Sequence, residues 1–264
     1  MEYQTILVET VEHVATVTIN RPNALNSFTK TMLAEFHHLW RAVAEDDDIH
    51  VVVLRAAKGR AFSTGVDVKL SQMPGEGIMH DNVWTAADPG ERLGAKSCRC
   101  WKPVIAAVHG MCAGGAFYWI NEADIIICSE DASFFDPHVT YGMTAALEPI
   151  GATYRMPLGD VLRMALLGND ERISAATALR IGLVTEVTPD DQLWGRAQAL
   201  AEIIAAKPPA AIQGTVRAIW ESLDMTRSTA LQTGLKYCQV GNPIGTAQID
   251  RWSIMGKAKT FETR

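Results

Sequence analysis

Twice along this chain a short run of buried-strand residues leads through glycine into the start of a helix, and this repeat constrains the fold more than any other feature. The first unit runs from "VVVL", Val51 to Leu54, through Gly59 to "AFSTGVD"; the second runs from "VIAAVHG" through "MCAGG" to "AFYW". Short continuous apolar runs bounded by turn residues read as strands buried on both faces. A helix N-terminus presents unpaired backbone N–H groups and the positive end of the helix dipole. Glycine lets a ligand atom come close to them. Two such ends facing one another would make a two-donor pocket for an oxygen that gains negative charge during a reaction. On the glycines alone, a plainer reading stays open, in which both loops only turn tightly. Neither loop carries the G-K-[ST] of a Walker phosphate loop or the G-x-G-x-x-G of a dinucleotide fingerprint, so phosphoryl and hydride transfer lose their usual sequence support.

The rest of the pattern frames these units. "ILVET" and "HVATVTI" predict two strands turning at Glu12–His13, and Met32, Leu33, Phe36, Leu39 and Val43 recur at helical spacing behind a cap at Ser27 or Thr29. "DIIICS" and "ASFFDP" predict two more strands. The stretch from Ser71 to Ala95, with Gly75, Gly77, Pro89 and Gly90, predicts a mobile loop with some helix. Helices are expected at "GDVLRMALLG" and "SAATALRIGL", capped by Asp160 and Ser174, then at Gln192–Ala206, Ala210–Leu223 and Ser228–Val240. Strands and helices alternate to about residue 185 and helices dominate beyond it, which predicts an α/β core with a helical C-terminal part. A chain of 264 residues suits one large domain, or one with a small appendage.

Composition removes several classes of function. The net charge of −6 disfavours nucleic acid and anionic membrane surfaces as partners. Five cysteines, an odd number without a C-x-x-C pair, predict reduced thiols, a cytoplasmic setting and no structural zinc. "MEYQTILVETVEH" is acidic and lacks the features of a signal peptide. Val104–Ile120 is the longest apolar stretch, but it contains His109 and three glycines and is followed by charge, so a strand, turn and helix are expected rather than a membrane span.

Four segments, "NRPNALNS", "AFSTGVDVKL", "KPVIAAVHGMCAGGA" and "ADIIICSEDASFFDP", fall in the order and spacing of the crotonase superfamily, which includes enoyl-CoA hydratases and isomerases. "AATALRIGLVTEV" resembles a fifth motif of that family, so the resemblance spans most of Ile6 to Val187. It implies a spiral of strand–strand–helix turns over residues 1–187 and a helical oligomerisation region over 188–264, assembling as a homotrimer or a dimer of trimers. It implies an acyl-CoA substrate whose thioester oxygen is held by two backbone N–H groups, here those of Val66 and Gly115. Asn23, Ala24, Thr64, Asp67 and Val68 stand where relatives line the CoA channel; Asn23 replaces a frequent basic residue. No metal or redox cofactor is implied, coenzyme A being part of the substrate.

The resemblance breaks at the acid–base residues. Hydratases of the family carry two glutamates, and this chain has Tyr118 and His138 in their places. Adding water across a double bond needs one group to take a proton and another to give one. A tyrosine, with a pKa of about 10, is a poor base at neutral pH, whereas histidine serves in either role. Tyr118 reads as a hydroxyl facing substrate, as core packing or, behind these two, as a direct catalytic acid. His138 is the stronger candidate and Glu148, in "AALEPIG", a replacement carboxylate. Glu122 is expected in a buried ion pair, Asp136 as a cap or turn residue, His109 as a structural hydrogen-bonding residue and His37–His38 on the surface. Isomerisation, decarboxylation and C–C hydrolysis keep the same oxyanion site and change the acid–base set, and a non-catalytic acyl-CoA-binding assembly partner is the competing class.

Overall fold

The computed structural model describes residues 2–78, 84, 87–256 and 261–263. β1 (Ile6–Val11) and β2 (Val14–Ile19) form an antiparallel hairpin. Its turn residues Glu12 and His13 both have positive φ, 46° and 71°, the conformation whose twist matches that of paired strands. α1 (Lys30–Glu45) is capped by Thr29, whose side chain accepts from the Met32 N–H at 3.2 Å. Its buried face is the one the spacing predicts, with Trp40 and Glu35 added.

A strand–strand–helix unit then repeats. β3 (Val51–Ala56) turns into β4 (Ala61–Ser63), which leads to α2 (Val68–Ser71) and α3 (Gly90–Leu93). β5 (Val104–Val108) turns into β6 (Met111–Ala113) and then α4 (Phe117–Asn121). β7 (Ile125–Ser129) turns into β8 (Ser133–Phe135), followed by α5 (Leu147–Ala152) and α6 (Leu158–Leu167). β9 (Ile173–Ser174), α7 (Ala175–Arg180) and β10 (Glu186–Thr188) come next. α8 (Leu193–Ala205), α9 (Pro209–Ser222), α10 (Arg227–Ala247) and α11 (Arg251–Ile254) complete the chain.

The strands sort into two sheets, one ordered β1-β2-β3-β5-β7-β10 and the other β4-β6-β8-β9. In the first, every pairing after the hairpin is parallel. Its central strands are apolar throughout because both faces are covered. Val52 and Leu54 face the core shared with α1, while Val51 and Val53 face α8. Ala197, Ala201 and Ala205 repeat every fourth residue on α8 against the sheet, so the helix lies close to it. The helical region after residue 187 thus covers the core through α8, whereas α9 and α10 pack on each other.

Three expectations are corrected. The glycine stretches are not simple loops, since each contains a three-residue strand, β4 or β6. Strands that short escape any test of alternation. The corner before β6 also demands glycine, because Gly110 has φ +58° and a Cβ there would collide with the Arg60 carbonyl. Asp160 does not cap α6; Pro157 occupies that position without a side-chain cap, and Asp160 lies in the first turn. The helix expected over Ser228–Val240 runs from Arg227 to Ala247, through Pro243. Proline removes the bond to the carbonyl four residues earlier, here on exposed Gln239, where water can satisfy it. Of the stretch from Ser71 to Ala95, residues 79–83, 85 and 86 lie outside the described residues; α3 is helical. All five cysteines are free thiols and three of them, Cys100, Cys112 and Cys128, are buried. Among the described residues no helix is long and apolar enough to cross a membrane.

Candidate active site

The two glycine loops meet at their helix starts. Phe28 bridges to the first loop, donating its N–H to the Gly65 carbonyl at 2.8 Å and accepting from the Asp67 N–H at 2.9 Å. In that parallel pattern the Val66 N–H between them points away from Phe28. Gly65 has φ +81°, and a Cβ on it would stand 2.7 Å from the Gly115 nitrogen. Gly115 lies buried in the 3-10 turn Gly114–Ala116. Being in the first turn, its N–H has no acceptor within the helix. A side chain on Gly115 would meet the Phe28 ring at 2.5 Å. Glycine is thus required on both sides of this contact, at Gly65 for its backbone conformation and at Gly115 for space.

The neighbouring segment is partly committed to local structure. Asn23 and Ala24 form the 3-10 turn Pro22–Ala24, and the Thr64 N–H donates to the Leu25 carbonyl at 3.2 Å. The Asp67 carboxylate accepts from the Leu70 N–H at 3.1 Å and pairs with Arg21 at 2.9 Å. Val68 is exposed at the start of α2.

The acid–base candidates converge on one spot from three elements. Tyr118 comes from α4, His138 from the 3-10 turn His138–Tyr141 and Glu148 from α5. α5 is held against α4 by the Asn121 side-chain amide, which donates to the Glu148 carbonyl at 2.8 Å. Asp136, fully buried, accepts from the His138 N–H at 3.0 Å and pairs with His138 Nδ1 at 2.6 Å. His138 Nε2 stands 3.9 Å from Glu148 Oε1. The ring also lies beside the second glycine loop, its Cε1 being 3.7 Å from where a Cβ on Gly114 would be.

Burial and charge tune these groups. The hydrogen bond to Asp136 raises the His138 pKa above its ordinary value, against the opposing effect of burial, and the Glu148 charge adds to the rise. Burial pushes Glu148 up, with His138 pulling the other way. Tyr118 is driven up by burial first and then by the fields of Glu148 and Asp88, so the phenol stays protonated. Its ring packs beside Gly90 and the core while its hydroxyl faces the Asp88 and Glu148 carboxylates.

Asp136, His138 and Glu148 form the group of potential metal ligands nearest to a site among the described residues, with ligand atoms within 4.8 Å of one another. His138 Nδ1 and Asp136 Oδ1 are spent on each other. His138 Nε2, the Glu148 carboxylate and the unpartnered Asp136 Oδ2 remain beside that bond.

Asp88 is a site residue that the sequence reading missed. It sits two residues before Gly90, accepts from that N–H at 2.9 Å, and acts on the Tyr118 hydroxyl. The Asp-Pro-Gly before a helix was the available signal, and it reads as a turn. Asp88 also lines a cavity of about 450 Å³ bounded by Lys30, Leu33, Met73, Ile78 and Arg92. Two other expectations change. Glu122 is half-buried and has no ion pair among the described residues: its carboxylate accepts from the Lys96 N–H at 2.6 Å, the Ser97 N–H at 2.9 Å and the Ser97 hydroxyl, whereas the Lys96 ammonium pairs with Asp124. His109 is 5% exposed and neither ring nitrogen has a partner among the described residues; burial holds its pKa down, so it packs as a neutral ring. His37 and His38 are exposed, as expected.

The comparisons agree with this architecture. The sequence profile of the enoyl-CoA hydratase/isomerase family matches residues 9–241. The chain is 34% identical over 234 residues to (E)-benzylidenesuccinyl-CoA hydratase of Thauera aromatica, covering 88% of this chain and 87% of the relative. It is 32% identical to the mitochondrial Delta(3,5)-Delta(2,4)-dienoyl-CoA isomerase of Rattus norvegicus, over 81% of this chain and 68% of that one. The crystal structure of an enoyl-CoA hydratase/isomerase from Mycobacterium paratuberculosis superposes with a TM-score of 0.80 at 34% identity, covering 90% of each chain. That of enoyl-CoA hydratase from Bacillus anthracis gives 0.82 at 26% identity, covering 95% of this chain and 93% of that one. The repeated strand–strand–helix units are those of the crotonase fold, and the protein is an acyl-CoA enzyme of that class. Within the class, the chain belongs to the enoyl-CoA hydratase/isomerase family.

Proposed function

We propose that this enzyme passes through an enolate of an acyl-CoA thioester, reached either by adding water across a double bond or by removing a proton to shift it. The thioester oxygen accepts from the Val66 and Gly115 N–H groups. Asn23, Ala24, Thr64, Asp67 and Val68 flank the CoA moiety, and no resident metal or redox cofactor takes part. The closeness of Gly65 to the Gly115 nitrogen supports the two-donor pocket. Removing one such donor typically raises the barrier by about 2.7–4 kcal/mol.

The observation that carries the reading is the 3.9 Å approach of His138 Nε2 to Glu148 beside Tyr118. It supplies two proton-transfer groups where the family's two glutamates are absent. Glu148 serves as base, its raised pKa making it a stronger one; His138 serves as acid, and Tyr118 as a neutral donor. Hydration would reach the enolate by adding hydroxide to the β-carbon and isomerisation by removing a proton, so relatives named for either reaction are consistent with the same oxyanion pocket. The cavity beside Asp88 takes the acyl group. A homotrimer or dimer of trimers completes the assembly through the helices after residue 187, and buried free thiols support a cytoplasmic setting.

Crotonyl-CoA hydration tests this, together with calorimetric binding of a panel of CoA thioesters. Turnover of at least one thioester is expected. Binding without turnover across the panel overturns the catalytic reading in favour of a non-catalytic binder, and no binding at all overturns both.

A further inference from the structure

Asp136 has no part in the reaction as described so far, yet it is the most deeply buried carboxylate of the cluster, with 0% exposure. Its Oδ1 receives both the backbone N–H and the Nδ1 of the same histidine, at 3.0 and 2.6 Å. An ionised carboxylate only accepts, so Nδ1 is the donor and the ring's exchangeable position is Nε2. That nitrogen is the one 3.9 Å from Glu148 Oε1. The other oxygen, Asp136 Oδ2, has no hydrogen-bond partner among the described residues, so the His138 imidazole and backbone N–H together answer the buried carboxylate. A charge removed from water persists when it is paired.

We propose that Asp136 is a positioning residue that fixes the His138 tautomer with its proton on Nδ1 and turns Nε2 toward Glu148, making the imidazole and the Glu148 carboxyl one acid–base couple. The catalytic half of this inference rests on the acyl-CoA reading above. The groups that face His138 are Asp136 on its own turn and Glu148 from α5, with Tyr118 from α4 acting on Glu148. Both carboxylates favour the imidazolium. In hydration, the Glu148 carboxylate takes a proton from water as hydroxide adds to the β-carbon. His138 Nε2–H gives its proton to the α-carbon, its bonding pair staying on nitrogen. Glu148 then returns its proton to Nε2, so the couple resets without a further reactant.

Histidine NMR and pH–rate profiles test the proposal in the whole protein, wild type and Asp136→Asn. The wild-type spectrum is expected to show the Nδ1-protonated tautomer at high pH, with a midpoint above the ordinary value of about 6.5. Asp136→Asn keeps an acceptor oxygen and loses the charge, so that midpoint should fall by about one to three units. The basic limb of kcat, set by the protonated acid, should move down with it while KM for crotonyl-CoA holds. A purely structural role would lower the rate equally at every pH. A wild-type ring protonated on Nε2 alone, a test that needs no variant, overturns the proposal; so does an unmoved midpoint in the variant. If no CoA thioester binds, the acyl-CoA reading and the catalytic couple fail together, and the NMR still decides whether Asp136 sets the tautomer.

Discussion

Glu148 carries two opposed demands in one side chain. Buried on α5 and held above the ordinary carboxylate range by desolvation, it makes a stronger base and a less comfortable native residue. Glu148→Gln is expected to lower turnover by about 10²–10⁴-fold, the usual worth of a positioned proton-transfer group. His138→Ala should cost a similar factor, and unchanged turnover in both removes them as acid and base. The stability effect has the opposite sign. A carboxyl whose folded pKa is raised contributes stability that is fully present below its unfolded value, about 4.5, and is lost as pH rises through the folded value. At neutral pH the wild type therefore bears the cost of ionising a buried group, which the glutamine avoids. Thermal denaturation should show Glu148→Gln more stable than wild type at pH 7–8 and the gain vanishing below about pH 4.5; equal gain at both ends would show that charge is not its cause. The family resemblance made Val66, Gly115, Tyr118 and His138 candidates because each sits at a fixed offset from one of its glycine or proline motifs. Glu148 was legible only as a nearby carboxylate, and Asp88 not at all. Their places depend on how α5 and α3 pack against α4, which no local pattern encodes.

At the scale of elements, the second sheet is what brings the two loops together, and it was the least legible part of the fold. β4 and β6 are each three residues long, too short for periodicity, and they register as strands only because each pairs with a neighbour far away in sequence. α1 and the central strands were legible because their apolar spacing extends over many residues. Helix α10 outran its expected end because Pro243, ordinarily a stop, falls where the lost bond faces solvent. The loop contact is stringent. Gly65→Ala would have to hold φ +81° with a Cβ 2.7 Å from the Gly115 nitrogen, a distance real side chains do not occupy. The variant is expected to lose at least ~10²-fold in turnover, as for loss of an oxyanion donor, and to melt at a lower temperature. Wild-type kcat in a folded Gly65→Ala protein would show that the approach of these loops does not serve the reaction.

Several helices of the molecule turn large apolar side chains to the surface. On α5 and α6, Ile150 is 60% exposed, Leu158 63% and Leu166 69%; on α10, Leu231 and Leu235 are each 60% exposed. A large contiguous apolar patch marks association, which makes these helix faces the place to test for it, and a net charge of −6 does not cover them. α5 bears Ile150 outward two residues after it bears Glu148 inward. If the outer face is covered by another copy, the same contact steadies the catalytic wall. Leu162→Glu with Leu166→Glu places two charges on the exposed side of α6. Sedimentation should show a trimer, or a dimer of trimers, for the wild type and smaller species for the double variant. Turnover should fall with the loss of assembly, because α5 loses its outer support, while Tyr118 and the Gly65–Gly115 contact remain built from the core. A wild type that sediments as a monomer at micromolar concentration removes the assembly. A double variant that dissociates yet turns over at the wild-type rate keeps the assembly and shows that Glu148 is held by Asn121 and the core alone.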